Sequence, residues 1–279
     1  MLSIQQALNN ATEQLSASIE SPQIEAEILL AQAMDLSRTQ LRTWPERSLT
    51  ELQLKHYSSL IHARLQGQPI AYLIGKQGFW SLDLTVTPDT LIPRPETERL
   101  VELALEKIPE HSQWRIADLG TGSGAIALAL ARERPTSQIL ATDKFTGPLE
   151  VARNNARENN IKNIQFTQSN WFEKLAEQPP FDMIVSNPPY IPLADPHLLQ
   201  GDVRFEPNSA LVSGNSGLDD LHILIQQSTQ YLKNHGWLLL EHGYDQRQAV
   251  LELMKHSGFQ NINDVDDLNG QPRVIMGTK

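Results

Sequence analysis

Phe181-Asp182-Met183-Ile184-Val185-Ser186 runs directly into Asn187-Pro188-Pro189-Tyr190. The first six residues are a short apolar run rich in β-formers, the pattern of a buried strand. Each proline lacks a backbone N–H and fixes φ, so the strand stops there and the chain turns out of the sheet. An amide side chain and a rigid backbone corner are left at a strand's end. The carbonyls of Asn187 and Pro188 then become acceptors with little freedom to pair elsewhere, able to grip a planar NH2 group with the Tyr190 ring packing nearby. Asn and Pro are also among the commonest turn residues, so taken alone these ten residues read as a plain turn.

Upstream, strand and helix signals alternate from Arg115: a strand near Ile116, a helix after Ser123, a strand over 138–142, a helix from Pro148 to about Asn159, and a strand near Ile164 to Thr167. Downstream of a long connection, Ile191 to Gly217, come a helix with Leu221, Ile223 and Leu224, a strand at Trp237 to Glu241, a helix over 246–254 and two closing strands around 259–265 and 273–276. Such alternation predicts a largely parallel sheet covered by helices on both faces. Ligands of such sheets sit at the carboxyl ends of the strands.

Asp118-Leu119-Gly120-Thr121-Gly122-Ser123-Gly124 occupies such an end, following a strand and opening a helix. Bare glycines let a ligand approach the backbone, and the spacing differs from the Gly-x-Gly-x-x-Gly of dinucleotide folds. The helix start suits an amino-acid carboxylate better than a pyrophosphate. Asp143 ends the next strand, where a carboxylate can accept both hydroxyl protons of a ribose. After the third strand, Asn170 can meet an adenine edge, and Trp171 either covers the adenine face or closes the core. Asp118 either bonds a methionine amino group or braces the glycine turn.

Residues 1 to about 73 read as a helical bundle. Ile4, Leu8, Ala11 and Leu15 share one helical face, Ser21-Pro22 places a capping hydroxyl before an N1 proline, Ser37 caps a short third helix, and a fourth starts near Thr50 with Leu54, Tyr57, Ile61 and Leu65. After Gly67-Gln68-Pro69, the run from Ala71 to Val86 turns aromatic and β-branched, which predicts a β-hairpin linker. Leu91-Ile92-Pro93-Arg94-Pro95-Glu96-Thr97-Glu98 then leads into a helix with Leu100, Val101, Ala104 and Leu105. This segment reads as a proline-stiffened linker or as one wall of an active site.

The 279 residues are 40% hydrophobic, enough for one ordinary domain and a small one. The absence of cysteine excludes disulfides and thiolate metal sites and fits a reducing compartment. There is no secretory signature at the start and no apolar run near the roughly 20 residues that span a bilayer, so a soluble cytoplasmic protein is expected, with no membrane contact. A net charge of −10 argues against a broad basic groove for nucleic acid. No metal-ligand spacing is found, so no metal is expected.

With both strand ends located, the chain resembles the release-factor glutamine methyltransferases, enzymes that methylate the side-chain amide nitrogen of the glutamine in the Gly-Gly-Gln motif of peptide-chain release factors. The resemblance rests on Pro69-Ile70-Ala71-Tyr72-Leu73-Ile74-Gly75, Leu91 to Glu98, the glycine loop, Asn187 to Tyr190, Arg204-Phe205-Glu206-Pro207 and Leu240-Glu241-His242-Gly243. The Asn-Pro-Pro-Tyr motif is shared with nucleic-acid amino-methyltransferases; the Leu91 to Glu98 segment and the helical N-terminus discriminate better. The resemblance implies a seven-stranded, mostly parallel Rossmann-like α/β sheet at 93–279, a release-factor-docking bundle at 1–73 and a hairpin linker at 74–92. It implies S-adenosyl-L-methionine as donor, S-adenosyl-L-homocysteine as product, and a release factor as partner of a monomeric enzyme. Cofactor contacts are then expected from Asp118, Gly120, Thr121, Gly122, Ser123, Gly124, Asp143, Asn170, Trp171 and Asn187. The glutamine pocket runs from Asn187 through Pro188 and Pro189 to Tyr190, with Asn187, Pro188 and Tyr190 in the catalytic roles. Asn170 departs from the Asp that this family often carries, which bears on the strength of the adenine contact. Two other readings compete: a methyltransferase for the exocyclic amine of adenine or guanine, and a non-catalytic scaffold that binds release factors.

Overall fold

The structure is a computed structural model that describes residues 2–279; Met1, the first residue of the expected bundle, lies outside the described residues. The chain divides into two compact units. One ends at Gly75 and also takes in Leu199–Phe205; the other comprises Lys76–Leu198 and Glu206–Lys279.

The first unit is helical: α1 (Ile4–Leu15), α2 (Pro22–Met34), α3 (Arg38–Thr43), α4 (Glu51–Leu65) and α5 (Ile70–Ile74). Ser3, Ser37 and Thr50 each accept from the backbone N–H three residues on, and Gln6, Gln40 and Gln53 return the bond to the cap backbone. Ser21 does not follow suit. Its hydroxyl makes no capping bond, and α2 starts instead on Pro22, whose fixed φ and missing N–H suit a first turn. Ile4, Leu15, Leu29, Leu30 and Leu41 are fully buried, and the Tyr57 hydroxyl donates to the Ala26 carbonyl at 3.1 Å. Residues 71–73, claimed by both the bundle and the hairpin expectations, are helical together with 74, after Pro69 at the N-cap, and the hairpin begins only at Lys76. Arg64 fastens Leu199–Phe205 to the same unit, pairing with Glu25 at 2.6 Å and Asp202 at 3.0 Å.

In the second unit, β1 (Lys76–Phe79) and β2 (Leu82–Thr85) form an antiparallel hairpin. Its Phe79, Leu82 and Leu84 are buried in one core with Leu100, Val101 and Ile116. The Asn155 side chain accepts from the Thr85 N–H at 2.7 Å and donates to its carbonyl at 3.0 Å. The hairpin is therefore packed into the second unit.

The remaining elements are α6 (Glu98–Lys107), β3 (Arg115–Leu119), α7 (Ala125–Glu133), β4 (Gln138–Asp143), α8 (Thr146–Glu158), β5 (Ile164–Gln168), β6 (Phe181–Ser186), α9 (Asp219–Tyr231), β7 (Leu232–Glu241), α10 (Arg247–His256), β8 (Gln260–Asp266) and β9 (Pro272–Thr278). Seven strands form one sheet in the order β5-β4-β3-β6-β7-β9-β8; the first five run parallel and β9 is antiparallel to both β7 and β8. The order steps outward from β3 to β5, then jumps back to place β6 on the other side of β3. That reversal opens a crevice beyond the carboxyl ends of β3 and β6. Asp118 pairs in register with Val185, and the Ser186 hydroxyl donates to the Leu119 carbonyl at 2.6 Å. The glycine loop and the Asn-Pro-Pro corner thus leave adjacent strands at the same end.

Candidate active site

The glycine loop is folded by its own backbone. The N–H groups of Gly120 and Thr121 both donate to the Thr142 carbonyl, at 2.9 and 2.7 Å, while Gly120, Gly122 and Gly124 take φ of 75°, 56° and 87°. These positive values are open to glycine at little cost. At Gly120 a side chain is doubly unwelcome, since a Cβ there would lie 3.1 Å from the Trp171 ring. Asp118, fully buried, accepts the Thr121 hydroxyl at 2.6 Å on Oδ2, and among the described residues no hydrogen-bond partner reaches its Oδ1. Burial, opposed by the Thr121 bond, pushes its carboxyl up to about 7. Asp143 accepts from the N–H of Gly122 on one oxygen and of Phe145 on the other, each at 3.0 Å, and burial raises its pKa as well. Each Asp143 oxygen retains a lone pair.

One cavity of about 280 Å³ gathers these groups. Its walls include Gly120, Thr121, Gly122, Ser123, Asp143, Asn170 and Trp171 from the loops after β3, β4 and β5, together with Asn187 and Pro189 from the corner after β6. Leu91, Pro93, Arg94 and Thr97 form a further stretch of wall, so of the two readings of that segment the structure favours the wall. Asp118, Gly124, Pro188 and Tyr190 are not on the walls. Of its two readings, Asp118 fits the brace: its bonded oxygen holds the turn. Gly124 underlies the start of α7 against Ala152 and Leu128. Pro188 is buried, and among the described residues no hydrogen bond claims its carbonyl.

The PrmC N-terminal domain family model matches residues 6–75, and the methyltransferase small domain model matches residues 98–196. The release factor glutamine methyltransferase of Coxiella burnetii is 46% identical over 279 residues, 100% of both chains. That of Escherichia coli (strain K12) is 49% identical over 270 residues, 97% of this chain and 96% of the relative. The chain belongs to the release factor glutamine methyltransferases. A solved methyltransferase from Pyrococcus furiosus, at 19% identity and a TM-score of 0.54 over 80% of this chain and 98% of that one, shares the fold.

The roles of several wall and neighbouring residues of this release factor glutamine methyltransferase escape a reading of its motifs. Glu206 has a fully buried side chain that ion-pairs with Arg94 and accepts from the Ile92 N–H at 3.2 Å, fixing that wall. Asp220, at the start of α9, accepts the Trp171 indole N–H at 3.0 Å and the Ser213 hydroxyl at 2.7 Å. Trp171 is thereby clamped over Gly120, serving wall and core together. Phe145, 46% exposed, adds an aromatic wall beside Asp143; an aromatic two residues beyond a strand-ending acid was its available signal. Thr97 and Glu241 lie within two quoted motifs, yet nothing in their spacing joins them to Asn187. In the fold, Asn187 Nδ2 donates to Thr97 Oγ1 at 3.1 Å, Thr97 Oγ1 donates to Glu241 Oε2 at 2.7 Å, and Tyr190 donates to Glu241 Oε1 at 3.1 Å. Burial raises the pKa of both Glu241 and Tyr190, against the nearby positive charge of Arg273.

Proposed function

We propose that this methyltransferase transfers a methyl group from S-adenosyl-L-methionine to the side-chain amide nitrogen of the glutamine in the Gly-Gly-Gln motif of peptide-chain release factors. The observation that carries the reading is the sharing of one cavity by Gly122, Asp143 and Asn187.

The residues present fit the donor. A Cβ built on Gly122 would meet nothing within 4 Å, so the loop is open to close approach. Asp143 has spare lone pairs for ribose hydroxyls, and the Thr121 to Ser123 backbone lies at the cavity for the methionine moiety. Asn170 donates its NH2 to Glu173 at 2.8 Å, which leaves its carbonyl oxygen to accept from an adenine amino group. When bound, S-adenosyl-L-methionine supplies an electrophilic sulfonium methyl and leaves as S-adenosyl-L-homocysteine.

An amide nitrogen is a poor nucleophile because its lone pair is delocalised into the carbonyl. Asn187 Oδ1 and the Pro188 carbonyl accept its two N–H bonds and hold the nitrogen with more sp3 character, its lone pair directed at the methyl. Rate enhancement then comes from orientation and from fixed dipoles aimed at developing positive charge. The methylated amide cation loses its proton readily, so no strong base is required. His242 is assigned a structural part: its buried ring bridges the Gly243 carbonyl at 2.9 Å and Asp264 at 2.8 Å.

The helical unit is assigned to docking the release factor, and the enzyme to monomeric action in the cytoplasm. The net charge of −10 supports a protein substrate over nucleic acid, and no helix among the described residues is long and apolar enough to cross a membrane. Asn187→Ala is expected to abolish labelled methyl transfer to a release factor while largely keeping cofactor affinity. Near-normal turnover of that variant, or equal labelling of a release factor whose Gly-Gly-Gln glutamine is replaced, defeats the assignment.

A further inference from the structure

Asn187 has a planar carboxamide whose two ends are nearly equal in size, so shape alone does not choose between its flipped orientations. In one, Oδ1 is the free end, an acceptor for a substrate N–H; in the other the free end is a second NH2 group that meets the substrate donor to donor. Methyl transfer to an amide requires the first. Hydrogen-bond polarity makes the choice, and it is set outside the corner itself.

The chain of bonds begins at Glu241, 1% exposed at the end of β7. Its two oxygens only accept when it is a carboxylate, the form that the nearby positive charge of Arg273 favours against burial. It receives the Thr97 hydroxyl on one oxygen and the Tyr190 hydroxyl on the other. A threonine hydroxyl has one proton, and here that proton is committed to Glu241. Thr97 Oγ1 can therefore only accept from Asn187, which demands the NH2 end at 3.1 Å. Oδ1 becomes the free end, and among the described residues no donor reaches it. Resting on the proposed glutamine reading, we infer that Thr97 and Glu241 are positioning residues that fix the amide orientation of Asn187, with Tyr190 holding the far side of Glu241. Tyr190 then acts through Glu241, to which its hydroxyl donates. Two motifs far apart in sequence, 91–98 and 240–243, serve one atom of a third.

The test compares Thr97→Val, which keeps the shape and removes the hydroxyl, with Thr97→Ser, which keeps the hydroxyl. Methyl transfer to a release factor is measured with kcat and KM separated, alongside cofactor affinity by calorimetry and the melting temperature. Thr97→Val is expected to lose about 10- to 100-fold in kcat, with cofactor affinity within about 2-fold of the parent, while Thr97→Ser stays within about 3-fold of it in kcat. Should Thr97→Val not fold, Thr97→Ala carries the same expectation. Glu241 is tested by a pair: Glu241→Gln can still accept from Thr97 and retains more activity than Glu241→Met, which frees the Thr97 proton. Parental turnover by Thr97→Val, or equal losses in Thr97→Val and Thr97→Ser, overturns the inference while the glutamine reading stands. An unaltered enzyme that leaves the glutamine unmodified sinks that reading and the inference with it.

Discussion

Asp118 is a buried acid whose cost depends on pH. Its pKa is about 7 in the folded protein, against roughly 3.9 for an unfolded Asp. The folded state therefore holds the extra proton between those values, and stability falls as pH rises from about 4 through about 7. Asp118→Asn keeps an acceptor for Thr121 and removes the charge. The variant is expected to melt at least a few degrees above the parent at pH 8, with the gap closing toward pH 5; a pH-independent difference in thermal melts contradicts this. Asp143 plays a different part, since it lines the cavity. Asp143→Ala removes two expected ribose contacts and should weaken cofactor binding about 10- to 100-fold by calorimetry. An unchanged dissociation constant rules out the ribose role. Both acids were visible as strand-end carboxylates and both are buried, but only Asp143 lines the cavity.

At the scale of elements, the start of α7 shows two glycines needed for different reasons. Gly124 has φ of 87°, and a Cβ there would lie 3.1 Å from both Ala152 Cβ and Leu128 Cδ1. Left-handed strain and overpacking together put the cost of Gly124→Ala at about 2–4 kcal/mol, a fall of roughly 5–10 °C in melting temperature. Gly122 has φ of 56° with open space where a Cβ would go, and that space is the cavity. Gly122→Ala should therefore cost only about 1–2 kcal/mol in stability and act mainly on cofactor affinity. If the two variants lose stability and affinity in the same proportion, the loop does not divide its duties this way. The Gly-x-Gly-x-Gly spacing marked the loop, but which glycine faces ligand and which faces helix packing depends on α8, a separate element.

For the molecule as a whole, the helical unit has caps and a core of its own, and docking the release factor is the role proposed for it. The intact enzyme should then methylate a whole release factor with a kcat/KM at least about 10-fold above that for a short peptide containing Gly-Gly-Gln, corresponding to about 1.4 kcal/mol of added recognition. Equal values for the two substrates remove the docking role.

Local chemistry was readable along the chain. Strand and helix periods, proline stops, the Ser37 cap and the glycine loop all depend on residues within a few positions of one another. Residues 71–74 show the limit, since their aromatic and β-branched composition favoured strand and they are helical in the fold. The parallel sheet and the placing of both loops at strand ends followed from alternation alone. What needed the folded molecule were the partners separated by scores of residues: Glu206 on Arg94, Asp220 on Trp171, and above all Glu241 on Thr97 on Asn187. Hydrogen-bond polarity is fixed by which donor meets which acceptor in three dimensions, and no spacing along one strand encodes a partner supplied by another.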